Sequence, residues 1–390
     1  MKYEFTIFGS GISAKIASSL LARNGFKVCL ILDKDKNLET SNTNLVTFLS
    51  SGSLNYLSSA IAKMELFNEY PEIEKIKCQL DSLSKKKSQS IEFCDEEKNC
   101  LGKIVKNSDL EHFLDIEINQ SSNIDIINSN QPDKIENKPD GVRLELHNGE
   151  NIESDLFILS STKRNIADQT KIKFIKRDLE QEALSISVKG EIKNKSYAFQ
   201  KFTPDGPLAL LPYSQNKASV VWSLKKDSKI FLKEKKELAQ IINNHICDYV
   251  ASVTIESIEK HKLQFVYAKN LFYKNTVLIG NVAHNIHPIA GQGLNLSIKD
   301  IALFVKQISK YKSLGYKLND QMMLEEFEMK RKLDNTAYSF GTFTLNGIFS
   351  SSNKFVNYTS RKGLGIIEKG NLLKQLFVRS ATGKDFFENF

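Results

Sequence analysis

Tyr3 to Phe8 is an apolar-rich run that passes directly into Gly9-Ser10-Gly11-Ile12-Ser13-Ala14, and from Ile16 to Ala22 apolar residues recur at helical spacing. Lys27-Val28-Cys29-Leu30-Ile31-Leu32 then reads as a second strand that ends at Asp33. Strand, glycine turn, helix and strand make a βαβ unit, which commits this part of the chain to parallel strands in an α/β fold. Gly9 and Gly11 allow a tight turn and let a pyrophosphate approach the helix N-terminus, while a carboxylate about twenty residues on, here Asp33, can accept from a ribose hydroxyl. Ala14 occupies the third glycine position, which governs helix–strand packing and tolerates a methyl group. The competing reading is a plain βαβ corner, with Asp33 solvating a strand end.

A second stretch has the same strand, loop, helix order. Val277-Leu278-Ile279 runs into Gly280-Asn281-Val282-Ala283-His284, then His287-Pro288-Ile289-Ala290-Gly291-Gln292-Gly293, and a periodic apolar segment begins at Leu294-Asn295-Leu296. Gly291 and Gly293 remove side chains where the helix begins, so backbone N–H groups there can point at a phosphate or at the electron-rich edge of a flavin ring. Two glycines around a glutamine, taken alone, also describe an ordinary tight corner.

The whole string is more specific than its glycines. It resembles the second flavin-binding motif of the class A FAD-dependent aromatic hydroxylases, a Gly-Asp pair followed by Ala-His and then Pro-x-x-Gly-Gln-Gly-x-Asn. Within that family it is most similar to the ubiquinone-biosynthesis hydroxylases, of the 2-polyprenyl-6-methoxyphenol hydroxylase type. Asn281 stands where most relatives have aspartate. A second segment, Phe202-Thr203-Pro204-Asp205-Gly206-Pro207-Leu208-Ala209-Leu210-Leu211-Pro212, is similar to that branch's Phe-Thr-Pro-x-Gly-Pro-Leu-Ala-Leu-Leu-Pro string on the substrate side of the flavin. Read without the resemblance, it is a rigid turn between apolar strands, followed by a strand carrying the lone Trp222.

Other positions depart from the family. Asn44 or Leu45 stands where many relatives have an arginine near the flavin. Ser108 replaces the arginine of Asn-Arg-x-Leu, although Asn107 and Leu110 match, and a helix cap by Asn107 or Ser108 is the plain alternative. Leu159-Ser160-Ser161-Thr162-Lys163-Arg164 replaces a Gly-Ala-Asp-Gly string that helps bind FAD and the reducing nicotinamide.

At 390 residues and 41% hydrophobic residues the chain can bury a sizeable core. Its formal net charge of +8, from 54 Lys+Arg against 46 Asp+Glu, is spread along the chain and suits a mildly basic surface. No recognisable nucleic-acid module appears, so no nucleic acid is expected. Cys29, Cys78, Cys94, Cys100 and Cys247 are irregularly spaced, as reduced thiols of a cytosolic protein are, and no metal is expected at them. Met1-Lys2-Tyr3 enters the first strand at once, which leaves no room for a signal peptide, and no apolar run approaches the ~20 residues of a transmembrane helix. No Gly-x-Ser-x-Gly elbow, His-Glu-x-x-His pair or Walker loop offers hydrolytic chemistry.

The expected architecture is therefore α/β, a Rossmann-like FAD-binding domain with an inserted antiparallel-sheet substrate domain and a C-terminal helical region. The FAD-binding domain takes 1–170 and 265–310, the substrate domain 171–264, and the helical region 311–390. Met322, Met323, Phe327 and Leu333 share a helical spacing that reads as core, and Lys85-Lys86-Lys87 reads as an exposed turn. Residues 365–379 read as a docking helix or a membrane-surface helix.

The resemblance implies a monooxygenase: NAD(P)H reduces FAD, and oxygen activated on the flavin passes to an electron-rich phenolic ring bearing a polyprenyl tail. Gly9, Gly11, Ala14 and Asp33 would hold the adenosine half of FAD. Gly280, Asn281, Gln292 and Asn295 would serve its other half, with Asp300 supporting the ribityl side or the loop. Pro288, Gly291, Gly293 and Leu294 would form the catalytic loop, the N–H groups of Gly293 and Leu294 stabilising negative charge on the reduced flavin. A tailed substrate implies a cytoplasmic protein in peripheral contact with the inner face of the cytoplasmic membrane, with other ubiquinone-biosynthesis proteins as candidate partners. The departures leave a second reading open, an FAD-binding accessory subunit that scaffolds such a complex.

Overall fold

The computed structural model describes residues 2–33, 44–61, 64–80, 89–95, 100–129, 131–286, 291–349, 378–379 and 381–388. Pro288 and His287, the Lys85-Lys86-Lys87 turn and residues 365–377 of the expected terminal helix lie outside these residues.

The chain opens with β1 (Lys2–Phe8), α1 (Ile12–Arg23) and β2 (Val28–Asp33), and continues through β3 (Val46–Ser50), α2 (Ser51–Ala60), β4 (Glu72–Ile73), β5 (Lys75–Leu80), β6 (Gln89–Cys94), β7 (Gly102–Lys106) and α3 (Asn107–Gln120). Next come β8 (Ile124–Ser129), β9 (Pro132–Lys138), β10 (Gly141–Leu146), β11 (Asn151–Leu159) and α4 (Arg164–Gln169). β12 (Phe174–Ile192), β13 (Tyr197–Thr203), β14 (Gly206–Pro212), β15 (Lys217–Lys225), α5 (Lys235–Ile246) and β16 (Val250–Ala268) follow. The last elements are β17 (Phe272–Tyr273), β18 (Thr276–Leu278), β19 (His284–Asn285), α6 (Gly293–Ser313), α7 (Gln321–Phe349) and α8 (Lys384–Glu388).

The first sheet has the order β17-β18-β11-β1-β2-β8, with β10 and then β9 added on β11. β18, β11, β1, β2 and β8 run parallel. Their near-continuous apolar runs follow from burial on both faces, as in Phe5, Ile7 and Phe8 of β1 or Val28 to Ile31 of β2. Edge-to-face rings tie strand to helices: Phe5 meets Phe26 at 5.2 Å and Phe304 of α6 at 6.1 Å, and Phe304 meets Phe327 of α7 at 5.4 Å.

The second sheet has the order β19-β16-β12-β15-β14-β13-β5-β6. Leu238, Ile242 and Ile246 of α5 cover one of its faces, packing on Ile186, Val188, Val220 and Trp222. The antiparallel sheet expected over 171–264 thus recruits residues from outside that range. β5 and β6 join it through a parallel pairing of β5 with β13, β16 extends to Ala268, and β19 pairs with its end. Lys75-Ile76-Lys77-Cys78 alternates as a strand should, but its partner is remote in sequence, so the local pattern could not assign it to this sheet.

A third, small sheet, β3-β7-β4, lies between. The expected apolar stripe of α7 divides: Met323 and Phe327 are buried, whereas Met322 and Leu333 are 59% and 82% exposed. They fall on the helix face turned from the core, so helical spacing alone grouped two opposite faces.

Candidate functional site

β1, β2, β11 and β18 end level with one another, because Phe8 is in register with Ile31 and Leu159, and Leu159 with Leu278. Ligands of parallel α/β sheets bind outside such carboxyl ends. Gly9 follows β1 with φ +154°, and a Cβ there would stand 2.6 Å from the Ser160 carbonyl oxygen, so the β1 and β11 exits can approach only over glycine. The same construction brings Ala14 Cβ within 3.3 Å, which places Ala14 at the helix–strand contact expected of it. Gly280, at φ +85°, stands against Ser13 of the first turn of α1, with 3.0 Å between Ser13 Cβ and the position of its missing side chain. The exits of β1, β11 and β18 thus converge on the start of α1.

Two helix starts follow strands of this sheet in the chain. α1 begins after Gly11 and α6 after Gln292; neither has a side-chain cap or an acidic residue in its first turn. By contrast, Ser50 caps α2 by accepting from the Ser53 amide. Among the described residues, no atom beyond the adjoining backbone lies within 4 Å of where a Cβ at Gly11 or Gly293 would be. First-turn amides have no partner within a helix, and their dipole favours negative charge. Bare amides, glycines and open approach fit a dinucleotide diphosphate at α1 and the electron-rich edge of a flavin at α6.

Asn295 of α6 is buried and its amide is committed to protein. Its Oδ1 accepts from the Ser50 amide at 2.9 Å, and its Nδ2 donates to the Phe48 carbonyl at 2.8 Å. It therefore braces β3 and α2 against the start of α6 rather than reaching toward the open edge. Gly291 (φ +58°) packs beside Phe48, and Leu294 is partly buried against the main core. Gln292 is buried and donates from Nε2 to the Ala381 carbonyl at 3.3 Å, while Asn281 is exposed.

Asp300, read from the sequence as support for the cofactor or its loop, lies fully buried on α6. One carboxylate oxygen takes Arg331 Nε at 2.6 Å and the other His284 Nε2 at 2.6 Å, with Asn335 donating at 3.2 Å. Burial pushes its carboxyl up, but Arg331 and then His284 pull it further down, to about 2. α7, α6 and the loop entered at His284 are joined through this one carboxylate. The cap expected at α3 is absent: Lys106 holds the N-cap position without a side-chain hydrogen bond, and Asn107 Oδ1 instead accepts from Thr47 at 2.6 Å.

Sequence reasoning missed Lys163. Its Nζ donates to Asp33 Oδ1 at 2.8 Å, and the Asp33 side chain is 4% exposed. Lys163 follows β11 and Asp33 ends β2, so the pair spans the exit of β1, across the mouth of the Gly9–Gly11 turn. The only signal was that a lysine lies in the segment that departs from the Gly-Ala-Asp-Gly string.

Residues 160–315 match the family described as FAD binding domain. Over those residues the chain is similar to an FAD binding domain. Among curated proteins, the chain is 27% identical over 248 residues to the ubiquinone hydroxylase UbiL of Rhodospirillum rubrum, covering 63% of the chain and 58% of that protein. It is 28% identical over 244 residues to the 3-demethoxyubiquinol 3-hydroxylase of Escherichia coli, covering 62% of each. The chain thus spans about 60% of the length of these curated relatives. Its fold is that of p-nitrophenol 4-monooxygenase PnpA from Pseudomonas putida, with a TM-score of 0.76 over 98% of both chains at 10% identity. It is also that of PqsL, described as a probable FAD-dependent monooxygenase from Pseudomonas aeruginosa, with a TM-score of 0.73 over 90% of this chain and 97% of that one at 14% identity. FAD is the cofactor of this family's domain, and the glycines and helix starts described above fit it.

Proposed function

We propose that the protein is an FAD-dependent monooxygenase that hydroxylates the aromatic ring of a polyprenylated ubiquinone precursor, with NAD(P)H as reductant and O2 as oxygen source. The observation that carries this reading is the convergence of the β1, β11 and β18 exits on the uncapped start of α1, with a second uncapped helix start, α6, following β18 in the chain. The relatives named as ubiquinone-pathway hydroxylases support the substrate class.

In this reading the amides after Gly9 and Gly11 bind the diphosphate, and Asp33 accepts from the adenosine ribose. Asn281 serves the ribityl side, with Gly280 keeping that approach open. Gly291 and Pro288 shape the loop beside the flavin ring, and the Gly293 and Leu294 amides hold negative charge at its edge. Gln292 and Asn295 fix the start of α6, and Ala14 seats α1 on the sheet. Bound FAD supplies two-electron transfer and oxygen activation; the chain supplies binding, orientation and exclusion of water. A polyprenyl tail would bring the protein to a membrane surface. Among the described residues no helix is long and apolar enough to cross a membrane, so that contact would be peripheral.

The test is product analysis. FAD-loaded protein, NADH or NADPH and a short-tailed polyprenylphenol under 18O-labelled O2 should yield a product heavier by one labelled oxygen. NAD(P)H consumption that gives only peroxide, with the phenol unchanged, would count against this reading and toward an accessory FAD-binding subunit.

A further inference from the structure

The face of the second sheet turned away from α5 is polar. Ser187 on β12 is paired with Ser219 on β15 and with Ser257 on β16, and in the next rows Ser185 faces Glu259 and Ala183 faces His261. Residues paired across an antiparallel ladder share a face, and their neighbours in the chain point the other way. Ile186, Val188, Val220 and Trp222 therefore pack on α5, while the serines, Glu259 and His261 look toward the first sheet's unit. Tyr213 of that side belongs to the main core and its hydroxyl lies 3.3 Å from Ser187 Oγ. Asn44, just ahead of β3, donates from Nδ2 to Glu259 Oε1 at 3.2 Å. From Asn44 the chain runs ~13 Å along β3 to Phe48, beside Gly291 and the start of α6.

On this face Ser219 Oγ, Ser257 Oγ, Glu259 Oε2 and His261 Nε2 are buried without a hydrogen-bond partner among the described residues. Ser219 is 1% exposed. Unpartnered buried polar atoms are costly and few in native proteins; four on one face, three on β16 and one on β15 across the intervening β12, mark where a polar guest sits. Glu259 Oε2 and His261 Nε2 are 3.5 Å apart, facing each other but not hydrogen-bonded.

We propose that Glu259 and His261 receive the hydroxyl of the phenolic substrate and that His261 takes its proton. This rests on the aromatic-hydroxylase reading above. The phenol O–H bond breaks, the proton passes to His261 Nε2, and the electron pair stays on oxygen as a phenolate. Nothing is oxidised or reduced in this step. The phenolate raises electron density at the ring carbons ortho and para to it, where an electrophilic oxygen attacks. The imidazolium formed then faces the Glu259 carboxylate, which Asn44 fixes in place. His261 is the catalytic residue in this step, and Glu259 the positioning residue. Among the described residues, charged groups on this side include Lys106, whose Nζ lies 5.7 Å from the Tyr213 ring centroid, Glu256, paired with Lys217 at 3.0 Å, and, farther along the face, Arg177, paired with Phe265 and 5.8 Å from the Phe343 ring centroid. Lys260 turns to the opposite face, where it meets Glu182 at 2.6 Å and the Phe231 ring.

The experiment uses FAD-loaded protein and a 2-methoxyphenol carrying a single prenyl tail, following the ultraviolet phenolate band of the bound phenol against pH. Bound to the wild type, the phenol is expected to ionise about one pH unit or more below its free value. His261→Gln should abolish that shift, and Glu259→Gln should reduce it, with flavin absorbance unchanged in both. Binding with an unshifted ionisation, or a shift that survives His261→Gln, would overturn the proposal and leave the four atoms to ordered water. Failure of the wild type to bind the phenol at all would sink the substrate reading first, and this inference with it.

Discussion

Asp300 shows how one buried charge can be tolerated. Its carboxylate is shared by Arg331 and His284, all three buried, so every element that meets there is committed to its position. Because the folded-state pKa is depressed from 3.8 to about 2, the associated stability is fully present above the unfolded value and is lost as the pH falls from about 4 toward 2. Its size is about 2 kcal/mol. Asp300→Asn should flatten that part of the stability–pH curve in urea unfolding. It should also cost about 1–3 kcal/mol at pH 7, since Arg331 loses its fully buried partner and keeps only the partly exposed Asp334 carboxylate, at 2.8 Å; a loss below ~0.5 kcal/mol would show that Asp334 alone holds Arg331. Lys163 lies at the other extreme, partly exposed at the edge of the proposed diphosphate site. Lys163→Met should weaken FAD binding about tenfold, the scale of one charge-assisted hydrogen bond, and should make binding less sensitive to salt. An unchanged affinity in a fluorescence titration would confine Lys163 to holding Asp33.

At the scale of elements, the site depends on how closely strand exits and helix starts can approach. Gly9→Ala places a methyl 2.6 Å from the Ser160 carbonyl in a positive-φ conformation, and should cost about 1–3 kcal/mol in thermal or chemical unfolding and lower FAD retention. Wild-type stability would mean that the β1 and β11 exits are looser than drawn here. Much of this was legible. The βαβ unit and the strand, loop and helix from Val277 to Asp300 follow from local apolar periodicity and glycine placement. What was not legible depends on long-range pairing: β5 with β13, Lys163 with Asp33, and Asn295 with Ser50 all join residues that no local pattern connects. Asn295 was read as a ligand because the motif contains it, and geometry turns its amide inward. The family string predicted which residues gather at α6, but not which of them would be spent on packing.

Across the whole molecule, two sheets divide the labour. The parallel sheet presents glycines and helix starts, and the second sheet presents a polar face opposite its α5-covered side. α7 spans both units, through Phe304–Phe327 at one end and Tyr267–Thr336 at the other, whose hydroxyls are 2.6 Å apart. Its outer face carries Met322, Met329 and Leu333 in the open, while Phe340 packs edge-on against Phe265 and Tyr267 of β16. Phe327→Ala should cost about 3–5 kcal/mol of stability, whereas Leu333→Ser should stay within about 0.5 kcal/mol; a large loss at Leu333 would mean that this face is covered in the folded protein. The proposed activity, a working flavin hydroxylase, has to survive a β11 exit that departs from the string of the hydroxylases it resembles. Anaerobic titration of the FAD-loaded protein with NADH and NADPH, with and without a polyprenylphenol, tests it most directly. Rapid bleaching of the yellow flavin absorbance, faster with the phenol present, is the predicted result. A flavin that stays oxidised in folded protein with the phenol bound would contradict it.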